Sequence, residues 1–144
     1  PLDLLSKTEI KKLLPSSMKE VILNLKDQDS GNMLKESLDI LITKYRGYRL
    51  KTYTKLFKIF IHDIELLWNE SGFMHCTNIN YVLRTLLIKS GHFADDDIQI
   101  KWTIVWYISP HQYLRIKTGD KYVNVDVWGY VYGIKYGEYA YGFK

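Results

Sequence analysis

Apolar residues recur at helical spacing through the first half of the chain and change to strand-like spacing after Gly91. Leu34, Leu38, Leu41 and Ile42 share one helical face that runs on to Tyr45. Leu56, Ile59, Phe60, Ile64, Leu67 and Trp68 mark another helix, ended by Asn69–Gly72. Ser17 with Glu20 three residues later forms a capping-box pattern, which predicts a helix over Met18–Leu25. The polar cluster Asp27–Asn32 predicts a turn, and Gly47 among Tyr and Arg residues predicts a bend. A further apolar run, Thr77–Lys89, predicts a helix that Cys76 opens and Ser90-Gly91 closes.

Beyond Gly91, Ile98–Ile108 is β-branched and aromatic, alternates at its start, and is expected to break at Pro110. His111–Lys117 and Lys121–Trp128 flank Thr118-Gly119-Asp120, a short glycine-containing hairpin signal. The Gly/Tyr-rich tail from Gly129 to Lys144 is expected to wind over the sheet. Helices first and antiparallel strands second predict an α+β fold, with N-terminal helices packed on a C-terminal antiparallel sheet. Neither a repeat nor a linker divides the chain. A single domain over 1–144 is expected, mainly helical over 1–68, with the Cys76 helix and the strands in 69–144.

Size and composition narrow the possible functions. A chain of 144 residues, 47% hydrophobic and 25% charged, has the character of a globular protein with one core. The longest apolar candidate, Leu56–Trp68, is interrupted by Lys58, His62, Asp63 and Glu65, and falls short of the ~18–20 residues of a membrane span. No secretory signal is visible. One cysteine excludes an internal disulfide and a thiolate-rich zinc site, and suits a reducing, cytoplasmic setting. The net charge of +4 is modest for a nucleic-acid binder.

Cys76 is where chemistry is expected. The first turn of a helix carries partial positive charge and unpaired N–H groups, which favour a thiolate and can receive an oxyanion. A histidine within reach would hold the thiolate and later give its proton to the leaving group, and a carboxylate would orient the imidazole. The sequence offers His111 at the start of one strand and Asp126 at the end of the next. The midpoint between them falls in the expected turn, which predicts that they are cross-strand neighbours with side chains on one face.

The segment Gly72-Phe73-Met74-His75-Cys76, the helix to Gly91, His111-Gln112-Tyr113 and Val125-Asp126 together resemble the transglutaminase-like superfamily, whose core is papain-like. The resemblance spans roughly 72–128. Asn80 stands where that family has a small apolar residue, and Val127 where proline is common. The resemblance implies acyl transfer from an amide without a cofactor, with Cys76 as nucleophile, His111 as base and acid, and Asp126 as orienter. The Cys76 peptide N–H would help bind the oxyanion. Trp68 and Asn69 are possible second donors, and Trp128 a further groove residue. The acyl-enzyme would be a Cys thioester, resolved by water or by an amine. Hydrolysis of a protein or peptide substrate is favoured, because nothing in a small chain is an obvious device for excluding water.

The alternative is a binding or scaffold domain on the same fold, engaging nucleic acid or an acidic partner through the basic segment 44–58, including Arg46 and Arg49. The other histidines are expected to be structural or solvated: His75 as a local cap or solvated side chain, His62 within a helix and His92 just past one. No metal site is expected. Asp95-Asp96-Asp97 lacks the alternating ligands of a calcium loop and reads as a solvated turn. The tail tyrosines Tyr130, Tyr132, Tyr136, Tyr139 and Tyr141 are expected to cover a sheet edge or to line a groove.

Overall fold

A computed structural model describes residues 10, 12–45, 63–69, 72, 74–105 and 109–141. Five α-helices and a three-stranded antiparallel sheet make an α+β fold over these residues. Helices α1 (Ser16–Lys26) and α2 (Ser30–Lys44) come first, followed by the short α3 (Ile64–Asn69) and by α4 (Cys76–Lys89). A 3-10 turn over Asp95–Asp97 leads into β1 (Ile98–Val105), β2 (Ser109–Thr118) and β3 (Lys121–Val125), and α5 (Val127–Val131) follows directly. The expected bend at Gly47, the part of the helix before Asp63 with His62, and Trp106–Ile108 lie outside the described residues. Among the described residues no helix is long and apolar enough to cross a membrane.

Local signals explain most boundaries, with two corrections. Helix α1 begins at Ser16 after Pro15, with no side-chain cap, so Ser17 is not the expected N-cap. Ser17 Oγ instead accepts a hydrogen bond from Trp68 Nε1 at 2.8 Å, joining α1 to α3. The expected turn over Asp27–Asn32 is shorter. Asp29 caps α2, accepting from the backbone N–H of Asn32 at 2.9 Å, and Ser30–Asn32 are already helical. Gly91, at φ 83°, ends α4 in the left-handed conformation that glycine adopts without strain.

Helix α4 is the centre of the molecule. It is buried from Asn78 through Leu87, and packs on β2 as well as on α2, α3 and α5. Its Leu83, Leu86 and Leu87 join Leu34, Leu41, Leu67, Leu114 and Ile116 in the core. A helix covered on all sides must satisfy its own polar groups. Thr85 Oγ1 donates to the Tyr81 carbonyl at 3.0 Å, and Arg84 meets Asp95 through Nη2 at 3.3 Å while its buried Nε stays unbonded among the described residues. The acidic triplet is therefore a capped turn with an ion pair: Asp97 Oδ2 also accepts from the Ala94 N–H.

The strand order is β1-β2-β3. Pro110 does not break the sheet but sits inside β2, opposite Ile104. β3 pairs with β2 only from Leu114 to Thr118, so among the described residues the β3-side edge of β2 is open at Pro110 and a missing N–H there costs no ladder bond on that side. The hairpin turn is Gly119-Asp120, with Thr118 opposite Lys121 and Gly119 at φ 65°. The tail returns past this region. Gly137 bridges to Asn124, and Tyr139 stacks on Tyr113 with ring centroids 4.2 Å apart. Gly137 thus covers part of the β3 edge, while Tyr136 and Tyr141 remain exposed.

Candidate active site

The first turn of α4, the start of β2 and the residue after β3 converge at one end of the sheet. His75 is the N-cap of α4, and its carbonyl accepts the Ile79 N–H at 3.0 Å. Its side chain makes no capping bond and is buried, which corrects the expectation of a cap or a solvated imidazole. Cys76 follows as the first helical residue, a half-buried free thiol. The chain approaches it through Gly72, whose N–H donates to the Lys44 carbonyl at 3.1 Å and whose φ is 87°.

His111 is buried. Its Nε2 lies 2.7 Å from Asp126 Oδ2, and the Cys76 thiol is its other polar neighbour. Burial on its own would weaken proton binding by this imidazole. The hydrogen bonds to Asp126 and Cys76, with the charges of both, more than reverse that and raise its pKa from 6.5 to about 10. Trp128 packs beside the imidazole at 5.0 Å between ring centroids, tilted by 50°, and restricts its orientation.

Asp126 reaches His111 by a route other than the expected one. Direct cross-strand pairing would set Leu114 opposite Val123, but the observed partner of Leu114 is Val125. β3 therefore ends before the level of His111. Asp126 leaves the strand to become the N-cap of α5, where Oδ1 accepts the Gly129 N–H at 2.8 Å. Oδ2 accepts from both His111 and the Ala140 N–H, the latter at 2.8 Å. Three donors hold this buried carboxylate. A Cβ on Gly129 would lie 2.6 Å from Asp126 Oδ2, so the carboxylate position depends on a glycine there.

The remaining candidates fall in different places. Trp68 is buried, with its indole N–H committed to Ser17 and with Lys44 Nζ 4.8 Å from its ring centroid, so that N–H is not available to an oxyanion. Asn69 ends α3 and is exposed. Trp128 is buried against His111, a supporting wall and not an open groove surface. His92 bonds to the Leu25 carbonyl at 3.1 Å and ties the end of α4 to α1. Apart from Lys44 and Tyr45, the basic segment 44–58 lies outside the described residues. No group of metal-ligating side chains occurs among the described residues.

Two residues that sequence reasoning missed complete the site. The backbone N–H of Gln112 donates to Cys76 Sγ at 3.4 Å. Asn80 Nδ2 donates to both the Gln112 carbonyl and its Oε1, each at 3.1 Å. The signal for Asn80 was its polarity on an apolar helix one turn after Cys76; the Gln112 backbone leaves no trace in sequence.

Taken together, these groups form a thiol, an imidazole and a carboxylate in series, with the imidazole able to take the thiol proton and hand it on. The chain matches no protein-family model, no curated protein and no solved structure.

Proposed function

We propose that the chain is a transglutaminase-like thiol enzyme that acts on amide bonds of a protein or peptide. The observation that carries this reading is the buried His111, hydrogen-bonded to Asp126 and raised in pKa by both Asp126 and Cys76, while all three sit on different elements. A core residue cysteine needs no such partners. The packing of the thiol-bearing helix on an antiparallel sheet that supplies the imidazole supports the papain-like core implied by the resemblance.

His111 takes the Cys76 proton, and the thiolate attacks the amide carbonyl. The Cys76 N–H, at the first turn of α4, helps to hold the oxyanion. When the tetrahedral adduct collapses, the C–N bond breaks, the imidazolium gives its proton to the departing amine, and a thioester remains on Cys76. Water, deprotonated by His111, then releases the acid and restores the thiol. An amine in place of water would give transamidation through the same thioester. Hydrolysis is favoured because Cys76 is only half-buried and so open to water. The free thiol suits a reducing compartment such as the cytoplasm.

Acylation by para-nitrophenyl acetate, followed by intact-mass measurement, tests the reading. The expected result is one acetyl group on Cys76, absent in Cys76→Ala, with acylation slowed by about 10²–10⁴-fold in His111→Ala. Acylation at the same rate in wild type and His111→Ala would contradict it.

A further inference from the structure

Asn80 and Gln112 carry an inference that rests on the thiol-enzyme reading and deepens it. Cys76 and Asn80 lie one turn apart on the same face of α4, and Asn80 is only 2% exposed. At Gln112 the β3-side edge of β2 has no strand partner among the described residues, because β3 starts to pair only at Leu114. Helix α4 takes the place of that strand. In an antiparallel strand the N–H and C=O of one residue point to the same side. Both groups of Gln112 accordingly go to α4: the N–H to Cys76 Sγ at 3.4 Å, and the C=O to Asn80 Nδ2 at 3.1 Å. The second bond from Asn80, to Gln112 Oε1, fixes the amide that makes the first.

This clamp has a chemical consequence. A donor held against sulfur favours the thiolate over the thiol, since a hydrogen bond to the charged form stabilises it. The donor is backbone, and the contact that holds it in place is Asn80. His111 immediately precedes Gln112, so the same clamp sets the level of the imidazole relative to the sulfur. A buried amide on an apolar helix is costly unless it is fully bonded, and the bonds Asn80 makes are directed to this one residue of β2.

We propose that Asn80 is a positioning residue that holds the Gln112 N–H on Cys76 Sγ and thereby sustains the thiolate. The test is the rate of Cys76 alkylation by iodoacetamide at about pH 6, in wild type, Asn80→Ala and Gln112→Met. Wild type is expected to react faster than a free thiol does at that pH. Asn80→Ala should react roughly 10-fold more slowly than wild type. Gln112→Met keeps both backbone groups but frees the Asn80 amide from its second acceptor, so its rate should fall less than that of Asn80→Ala. A merely structural Asn80 would lower thermal stability and leave the alkylation rate of the folded protein unchanged.

The wild-type protein supplies a second readout that does not depend on any variant folding. The Gln112 amide proton resonance should move upfield when Cys76 is alkylated, because a thioether accepts more weakly than a thiolate. An Asn80→Ala rate equal to a fast wild-type one, or a Gln112 amide blind to alkylation, overturns the role of Asn80 and leaves the enzyme reading standing. A wild-type rate no higher than that of a free thiol overturns the enzyme reading itself.

Discussion

Asp126 depends on its surroundings more than any other residue of the site. Its two oxygens accept from Gly129, Ala140 and His111, so the carboxylate is both the cap of α5 and the partner of the imidazole. Gly129 makes this possible by lacking a side chain where a Cβ would meet Oδ2 at 2.6 Å. Gly129→Ala is expected to destabilise the fold by about 1–3 kcal/mol, as overpacking does. It should also slow acylation of Cys76, because the carboxylate must move from His111. Urea unfolding and the ester assay check the two effects; unchanged values in both would remove Gly129 from the account. Cys76, His111 and Asp126 were legible in sequence because their types and order suggest a chemistry. Gly129, Asn80 and Gln112 were not, because each acts through a tertiary contact: space at one, a cross-element bond at the others.

At the scale of elements, hydrophobic periodicity located the helices and strands, and errors collected at their ends. The strand pairing differs from expectation by two residues and not by one. A two-residue slip keeps every side chain on its face, which is why the pairing of His111 with Asp126 survives a wrong register. The short helix α5 was missed because Val-Trp-Gly-Tyr-Val continues a strand-like composition; the Asp126 cap overrides it. Polar residues near helix starts were similarly ambiguous. Ser17 looked like a cap and serves Trp68, while Asp29 looked like turn and is the cap of α2. Asp29→Ala is therefore expected to cost about 1 kcal/mol in urea unfolding, and Ser17→Gly to leave the start of α1 in place. Equal stability of Asp29→Ala and wild type would contradict the cap.

Over the whole molecule, the protonation of one buried imidazole couples folding to pH. The folded pKa of His111, about 10, lies above the ordinary 6.5. The folded state binds the proton more tightly than the unfolded chain does. The stabilisation it contributes is thus complete below pH 6.5 and is lost as pH rises through about 10. The unfolding free energy should decline across that window in wild type and decline much less in Asp126→Asn, which loses the charged partner. Unfolding curves at a series of pH values measure this, and parallel profiles for the two proteins would contradict it. The α+β class was legible from the change of period at Gly91. The way α4 substitutes for a strand beside β2 was not, since no local pattern encodes which edge a helix will cover.

The proposed function requires that Cys76 and His111 act as a coupled nucleophile and base. The most direct measurement is the rate of iodoacetamide alkylation of Cys76 at about pH 6 in wild type and His111→Ala. Wild type is expected to react at least about 10-fold faster than His111→Ala. Equal rates in the two proteins would contradict this coupling.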